Sequence, residues 1–290
     1  MQEAVLKIID DNNPINIVDI GANPYGDAPI YKPLLDGGLA RLVGFEPDAQ
    51  AFAQLQKIKK PHETYLPYAI GDGQTHLFHS YQSNPASVMN SIFELDQDKM
   101  ARYQWLAENR QLIHKTPITT KRLDDITEIQ TIDFLRMDIQ GAELMAVQGA
   151  PQKLQDCMVI HAEALFVSMY KDQPLFSDLE LYLRGQGFDF IKFVDITWGA
   201  IKPFYIEDNP RLGFSQMLFC DALFVRDIDS LNQLEIAPLA KLILVLHELY
   251  QAYDLAHLVL KILEDKIGEN LTSDYQYQLK NALPNLSYKI

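Results

Sequence analysis

The chain has 290 residues, of which 48% are hydrophobic and 22% are charged, and its 39 acidic and 25 basic side chains give a formal net charge of −14. This composition is that of an ordinary folded protein, and the length suits one large domain or one domain with an appendage. Because such an acidic surface repels polyphosphate, we expect no nucleic-acid partner.

The cysteines and the first residues indicate a cellular location. Cys157 and Cys220 lie in apolar, strand-like runs, where a buried thiol in a reducing compartment is more common than a disulfide or a metal ligand. The opening "MQEAVLKIIDDNN" is acidic and lacks the basic-then-apolar order of a secretory signal. No stretch has the roughly 18 uncharged apolar residues that a membrane span needs. We therefore expect a cytoplasmic protein without a membrane span.

Strand-like patterns alternate with helical patterns from residue 15 to residue 226. The predicted strands are residues 15–20, 40–47, 64–70, 75–82, 131–139, 157–166, 188–196 and 217–226. The predicted helices in this region are residues 28–36, 48–60, 94–110, 141–154 and 175–188. This alternation predicts a three-layer α/β sandwich with a mostly parallel sheet and ligand chemistry at the carboxyl ends of its strands. No full-length helix separates the last two strands, which favours an antiparallel pair at one edge.

The pattern becomes purely helical after Asp229, over residues 236–266 and 272–282. We interpret residues 230–290 as a helical appendage to a domain of residues 1–229. Its leucines are more numerous than one exposed helix requires, so the appendage either packs on the domain or pairs with a second copy in a homodimer.

The loop "DIGANPYG" after the first strand is typical of a ligand site. Asp19 lies near the end of the strand, Gly21 permits a tight turn with its backbone close to a ligand, and Gly26 would let a following helix pack closely. The spacing is not the Gly-x-Gly-x-x-Gly of a pyrophosphate site, and Asn23 and Pro24 stand where a dinucleotide fold prefers small residues. A ligand without phosphates fits this loop better.

Glu46 ends the second strand, and Pro47 stops its hydrogen-bond ladder. A carboxylate at this position can accept hydrogen bonds from both hydroxyls of a ribose, although a solvated acid beside a proline turn has the same sequence pattern. Together with the glycine loop, Glu46 indicates an adenosine-containing ligand.

The stretch "IDFLRMDIQGAELMAVQGA" is the third candidate element. Asp138 ends a buried strand, so its carboxylate is expected at the same sheet edge as Asp19 and Glu46. Arg136 shares a strand face with Asp138, and Gly141 lets the backbone turn into a helix. The alternative is an acid that complements the dipole of that helix.

The blocks "VDIGANPYG", "VGFEPD", "AIGD", "RLDDI" and "IDFLRMDIQGAELMAVQGA", in this order, resemble the FkbM-type S-adenosylmethionine-dependent methyltransferases over roughly residues 15–226. The resemblance implies a class I methyltransferase fold, which is Rossmann-like, with a seven-stranded sheet and a reversed edge strand. It implies O-methylation of a hydroxyl, often on a sugar of a glycan, a glycolipid or a secondary metabolite.

The resemblance also implies roles for individual residues around S-adenosyl-L-methionine. Around the methionine and sulfonium end it places the loop after the first strand, with Asp19, Gly21, Ala22, Asn23 and Gly26. It assigns the ribose to Glu46 with Pro47, the adenine surroundings to Ala69, Ile70 and Asp72, and the donor–acceptor junction to Asp138. Many members of the family have glutamate at the position of Gln140, so an acidic role there is absent from this chain.

Methyl transfer to a sugar hydroxyl gains from a general base, because a neutral hydroxyl is a poor nucleophile. The candidates are Asp138, His161 and Glu163; the last two alternate onto one face of their strand and reach its carboxyl edge. The structural alternative for His161 is a hydrogen-bonded core histidine, whereas an unpaired buried Glu163 would be costly. A third carboxylate at the spacing of a metal site is missing, so we predict no metal.

Acceptor recognition is predicted in residues 80–115 and in residues 166–176, which include Tyr170 and Lys171. A small-molecule or glycan acceptor is the expected partner, although both segments could be ordinary surface loops. Two other functions stay open. One is a catalytically silent homologue that binds the donor or acts as a scaffold through its helical tail, and the other is a nicotinamide oxidoreductase, which the incomplete glycine fingerprint disfavours.

Overall fold

The computed structural model describes residues 5–9, 12–81, 89–104, 106, 112–207, 209 and 212–283. The strands are β1 (Ile15–Ile20), β2 (Ala40–Phe45), β3 (Glu63–Leu66), β4 (Thr75–Tyr81), β5 (Leu112–Thr119), β6 (Phe134–Met137), β7 (Val159–Leu165), β8 (Phe188–Gly199) and β9 (Gln216–Arg226). The α-helices are α1 (Lys32–Asp36), α2 (Ala49–Ile58), α3 (Gln97–Met100), α4 (Glu143–Gln148), α5 (Phe176–Gly185), α6 (Ile236–Leu244), α7 (Tyr253–Ile267) and α8 (Thr272–Ala282).

Seven strands form one sheet in the order β3-β2-β1-β6-β7-β9-β8. The pairs β1–β6, β2–β3 and β6–β7 are parallel, and β9 runs antiparallel to both β7 and β8. The predicted seven-stranded, mostly parallel sheet with one reversed strand and an antiparallel pair at one edge is confirmed. The reversed strand is β9, which lies one position in from the edge strand β8, because β9 inserts between β7 and β8.

The central strand β7 shows why this sheet is covered on both faces. All seven of its residues are buried, as expected for a strand between two layers of helices. On one face, Leu179 and Leu183 of α5 join the core, and Phe176 makes edge-to-face contacts with Phe190 and Phe193 at centroid distances of 5.2 and 4.9 Å. This packing leaves the carboxyl ends of the strands as the place where polar groups can gather.

Capping side chains fix where several helices begin. Asp48 accepts hydrogen bonds from the backbone N–H groups of Gln50 and Ala51 at the start of α2. At the start of α8, Glu264 accepts hydrogen bonds from the backbone N–H groups of Leu271 and Thr272. These bonds satisfy donors that have no partner within the helix.

Two regions differ from the sequence-based expectation. The helix expected over residues 94–110 is described only as the short α3, and the unexpected strand β5 pairs with β4 in a separate two-stranded antiparallel sheet. The single helix expected over residues 236–266 is interrupted by a π-helical turn at Val245–Leu249, after which Gln251 has a φ of 50°.

The chain divides into two compact units. One contains residues 16–27 and 42–226 of the described chain, with most of the seven-stranded sheet. The other contains residues 5–9, 12–15, Ala28–Arg41 and 227–283 of the described chain, with α1, α6, α7 and α8. Within this helical unit, α7 buries one apolar face, and the His247 imidazole contacts the Tyr275 hydroxyl at 2.9 Å.

No helix in the described part of the chain is both long enough and apolar enough to cross a bilayer.

Candidate active site

A row of polar side chains crosses the sheet near the carboxyl ends of its strands. Asp19 on β1 lies in register with Arg136 on β6, which lies in register with His161 on β7. Two residues beyond His161 on β7, Glu163 lies opposite Asp221 of β9. Because residues two apart on a strand share a face, these five side chains lie on one side of the sheet. The register therefore gathers residues that are far apart in the sequence.

Arg136 joins two carboxylates and a backbone carbonyl. Its Nη1 donates to Asp19 Oδ1 at 3.0 Å and to the carbonyl oxygen of Gly21 at 3.2 Å, and its Nη2 donates to Asp138 Oδ2 at 2.8 Å. The Asp19 side chain is almost wholly buried, so a charged donor is needed to compensate its desolvation. Arg136 thus fixes the ends of β1 and β6 relative to each other.

The predicted glycine loop is tied to the neighbouring strand. The backbone N–H groups of Gly21 and Ala22 both donate to the carbonyl oxygen of Phe45 at 3.0 Å. Gly21 has a φ of 91°, and a Cβ there would lie 2.1 Å from the Asp138 carbonyl oxygen, so the loop requires glycine. Asn23 Oδ1 accepts a hydrogen bond from the N–H of Tyr25 at 2.8 Å, which closes a side-chain turn.

Gly26 is needed for a different reason from the one predicted. A Cβ on Gly26 would meet nothing within 4 Å, so close packing of a following helix does not explain it, and α1 begins only at Lys32. Its φ of 101° does explain it, because that conformation is strained for residues with a side chain.

Glu46 is a buried carboxyl group directly after β2. Only 5% of the residue is exposed, and Oε1 accepts a hydrogen bond from the N–H of Asp48 at 2.7 Å. Burial raises the pKa of Glu46 to about 8, and the charges of Asp48 and Asp19 act in the same direction. Pro47 next to it is half-buried. The structure thus places a carboxyl group with an unusual affinity for protons beside the glycine loop.

The segment assigned to the adenine lies beyond β3. Ala69 accepts a backbone hydrogen bond from Lys121 at 2.8 Å, and Ile70 is buried and bridges the same residue. The Asp72 carboxylate contacts His76 and accepts hydrogen bonds from the Thr120 hydroxyl and the Gln74 N–H. Burial would raise the pKa of Asp72, but the hydrogen bonds to this carboxylate outweigh burial and lower the pKa. These contacts stabilise the turn into β4.

Gln140 connects the two candidate catalytic carboxylates. Its Nε2 donates to Asp138 Oδ1 at 2.8 Å and to Glu163 Oε2 at 3.1 Å, and its Oε1 accepts from the Tyr170 hydroxyl at 2.7 Å. Its backbone has a φ of 57°, and its carbonyl oxygen accepts from the Ser91 hydroxyl at 2.7 Å. The amide therefore acts as a bridge at the position where a glutamate would add a further negative charge.

Glu143 holds the backbone of the loop that carries Gln140. Its two carboxylate oxygens accept hydrogen bonds from the N–H groups of Ile139 and Gly141 at 2.8 and 3.0 Å. Burial raises the pKa of Glu143, and these bonds oppose the shift. The sequence analysis did not single out this residue, although an acid in the first turn of a helix is a recognisable signal.

The electrostatics of the row favour protonation of Glu163. Burial raises its pKa well above the usual range, and the charges of Asp138, Glu143 and Asp221 add to the effect, while Arg136 opposes it. A carboxyl group in this environment prefers either a proton or a nearby cation.

His161 pairs with a residue that the sequence analysis missed. Its Nε2 lies 3.2 Å from Asp221 Oδ2, and the imidazole is almost wholly buried. Burial alone would raise the pKa of Asp221. The hydrogen bond from His161 and the charges of His161 and Arg136 outweigh burial and lower this pKa. The available signal was an aspartate inside the apolar run "MLFCDALFV", which is unusual for a central strand.

The predicted acceptor segments pack beside this row. Leu95, Met100 and Tyr103 form a core cluster with Leu165 and Tyr170. Lys171 Nζ donates to Glu94 Oε1 at 2.7 Å, and its side chain is exposed. Part of the first segment, residues 82–88, 105 and 107–111, lies outside the described residues. Among the residues that are described, no group of three histidine, cysteine or acidic side chains is arranged to hold a metal ion.

The strand order with its single reversed strand is that of a class I methyltransferase fold. Residues 19–190 match the methyltransferase FkbM domain, and the chain belongs to that family.

The chain is also similar to individual known proteins. It is 28% identical over 187 residues to the 2-O-methyltransferase NoeI of Sinorhizobium fredii, a match that covers 61% of this chain and 74% of that protein. Among solved structures, a putative methyltransferase from Thermoplasma acidophilum is 10% identical, with a TM-score of 0.37 and coverage of 74% of this chain and 69% of the other. The plantazolicin methyltransferase BpumL in complex with SAH is 11% identical, with a TM-score of 0.35 and coverage of 74% and 76%.

Proposed function

We propose that this methyltransferase binds S-adenosyl-L-methionine at the carboxyl ends of β1, β2 and β6 and methylates a hydroxyl group, most suitably that of a sugar. The observation that carries the proposal is the junction of the loop after β1 with the end of β2. The two hydrogen bonds from Gly21 and Ala22 to Phe45 bring the loop beside Glu46. A ribose fits this junction better than phosphates do, because the N–H groups of Gly21 and Ala22 already donate to Phe45, while the Glu46 carboxyl group can accept hydrogen bonds from hydroxyls.

Different residues of the chain hold different parts of the donor. The bound donor would supply a methyl group on an activated sulfonium. Glu46 accepts hydrogen bonds from the ribose hydroxyls, next to Pro47. The loop of Asp19, Gly21, Ala22, Asn23 and Gly26 surrounds the methionine end, and the segment of Ala69, Ile70 and Asp72 borders the adenine. Asp138 faces the junction between donor and acceptor. The cluster of carboxyl groups around Glu163 complements the sulfonium charge.

Glu163 is the proposed general base. It lies closer to the carboxyl edge than His161, and the ionised form of a carboxyl group with a raised pKa accepts a proton more readily than an ordinary carboxylate does. In the transfer, the carbon–sulfur bond breaks, a carbon–oxygen bond forms, and the hydroxyl proton passes to Glu163. Alignment of the reacting atoms supplies about 7–11 kcal/mol, and a base adds about 10²–10⁴-fold. His161 with Asp221, and Asp138 with Arg136, position the base and its neighbours.

The name of the relative NoeI, a 2-O-methyltransferase, supports the choice of a hydroxyl acceptor. The alternatives, a donor-binding protein without turnover and a nicotinamide enzyme, differ in what they bind and what they convert.

The test is a calorimetric titration of the purified chain with S-adenosylmethionine, S-adenosylhomocysteine and NAD. The same titration is made with Glu46→Ala and with the control Glu128→Ala, which removes an exposed carboxylate far along the chain. We expect S-adenosylmethionine and S-adenosylhomocysteine to bind to the wild type and to the control. Glu46→Ala should bind both compounds more weakly, and NAD should bind to none of the three proteins. Failure of both sulfur compounds to bind would overturn the proposal. Binding without methyl transfer to any sugar in a broad panel would favour the silent homologue.

A further inference from the structure

A cavity of about 280 Å³ lies beyond the carboxyl end of β7. Its walls come from three parts of the chain: Lys99, Met100, Arg102, Tyr103 and Leu106; Phe166, Val167, Ser168, Met169 and Leu175; and Gln216 at the start of β9. Phe166 directly follows the last residue of β7, the strand that carries His161 and Glu163. In α/β sheets, ligands bind at this end of the strands.

Hydrogen bonds link the wall of this cavity to the candidate catalytic residues. Tyr170 follows the lining residue Met169, and its hydroxyl donates to Gln140, which bridges Asp138 and Glu163. The N–H of Asp96, near the lining residue Lys99, donates to the carbonyl oxygen of Met169 at 2.8 Å. A molecule in the cavity would therefore rest against a segment that is linked to the proposed base through Gln140.

The cavity is lined by apolar side chains on one hand and by polar and positively charged side chains on the other. The apolar part is formed by Met100, Leu106, Phe166, Val167, Met169 and Leu175. The polar part contains Ser168, Gln216 and two cations, Lys99 and Arg102, and none of the described residues that line the cavity is acidic. This concentration of positive charge is unusual in a chain with a net charge of −14.

The two cations differ in how far they are already neutralised. Lys99 Nζ lies 3.5 Å from Asp96 Oδ2. Arg102 is exposed, and its guanidinium forms no ion pair with a carboxylate in the described part of the chain. The backbone N–H of Lys202 donates to the carbonyl oxygen of Arg102 at 2.8 Å, which fixes the backbone of Arg102. A planar guanidinium suits bidentate contact with a carboxylate or a phosphate.

We propose that this cavity is the acceptor subsite and that it binds an anionic group, a carboxylate or a phosphate ester, carried by the sugar that is methylated. The inference rests on the proposed function. The volume of about 280 Å³ is just below the range of roughly 300–1,000 Å³ that is typical of small-molecule sites, which suits a ligand as small as one sugar unit. The apolar wall with Tyr103 would cover the C–H face of the ring, and Arg102 with Lys99 would hold the anion.

The test compares three sugars of the same ring: glucose, glucuronate and glucose 6-phosphate. Their binding to the full chain saturated with S-adenosylhomocysteine is measured by ligand-observed NMR titration. The variants are Arg102→Gln and the matched control Arg184→Gln, an exposed arginine on α5. We expect at least one anionic sugar to bind about tenfold or more tightly than glucose. This preference should disappear in Arg102→Gln and persist in Arg184→Gln, and the two anionic sugars show whether carboxylate or phosphate is preferred.

Several outcomes would overturn the subsite. The first is equal binding of glucose and the anionic sugars, and the second is no sugar binding by a chain that binds S-adenosylhomocysteine. The third is an equal loss of the preference for anionic sugars in both arginine variants, which would indicate a general charge effect. Each leaves the proposed donor site intact. Failure to bind S-adenosylhomocysteine in the first step would instead remove the proposed function, and the subsite with it.

Discussion

The two halves of the candidate site are built in different ways. On the β1–β2 side, Glu46 and Asn23 are fixed by backbone close to them in the sequence: Glu46 by the N–H of Asp48, and Asn23 by the N–H of Tyr25. On the β6–β7–β9 side, Glu163 is fixed by a side chain from a distant part of the chain, Gln140, which the Tyr170 hydroxyl holds in turn.

The proposed donor half depends on local turns, which a short motif can encode. The proposed acceptor half depends on a network in which one contact orients the next. Substitutions should therefore act locally in the first half and spread through neighbouring side chains in the second.

The largest effect is expected from Gly21→Ala. The added methyl group would lie 2.1 Å from the Asp138 carbonyl oxygen at a φ of 91°, so the loop has to move. We expect affinity for S-adenosylhomocysteine to fall by about a hundredfold or more and the free energy of unfolding to fall by about 3 kcal/mol. Calorimetry and urea denaturation measure the two quantities.

Gly26→Ala is the matched control, because its φ is also positive but an added Cβ would meet nothing within 4 Å. Only backbone strain of about 1 kcal/mol is expected there. Equal losses in the two variants would show that the contact with Asp138 does not matter.

A smaller loss of donor affinity, together with a distinct pH dependence of stability, is expected from Glu46→Gln. The pKa of Glu46 is about 8 in the folded chain and 4.5 as the ordinary value, so the folded state retains a proton that the unfolded state loses. Between these pH values the wild type should lose stability relative to the variant by about 1.4 kcal/mol per pH unit. Below pH 4.5 the difference should be constant, and above pH 8 it should level off. Urea denaturation of both proteins from pH 4 to pH 9 measures it.

The same variant should bind S-adenosylhomocysteine about tenfold or more weakly, because a ribose hydroxyl favours the ionised carboxylate. Glu128→Gln controls for the loss of an exposed acid. A pH-independent stability difference between wild type and Glu46→Gln would contradict the raised pKa.

The smallest effect is expected from Tyr170→Phe, which tests the network of the second half. It removes one hydrogen bond to Gln140 Oε1, worth about 0.5–1.5 kcal/mol, so methyl transfer should slow by a few-fold to about tenfold while affinity for S-adenosylhomocysteine stays unchanged. The rate is measured with the best acceptor from the sugar panel. Tyr182→Phe, which removes a hydrogen bond to the Val147 carbonyl oxygen, is the control. An equal loss of donor affinity would place Tyr170 in a general structural role.

Particular elements show where sequence reasoning succeeded and where it did not. The alternating patterns predicted the seven strands of the main sheet because each strand has a local apolar signature. The strand β5 was missed because its side chains are nearly all exposed and it contains Pro117, which is tolerated at an edge. The π-helical turn at Val245–Leu249 was missed because no glycine or proline marks it.

The sequence by itself determined the family, the strand order implied by that family, and the residues that stand at the strand ends, among them Asp19, Glu46 and Asp138. Local chain direction fixes such positions, since parallel strands bring their carboxyl ends to one edge. Only the tertiary structure decided that Asp221 pairs with His161, that Gln140 bridges two carboxylates, and that Arg102 and Phe166 line one cavity. These contacts join residues that are distant along the chain, and their geometry depends on strand register and packing rather than on any local pattern.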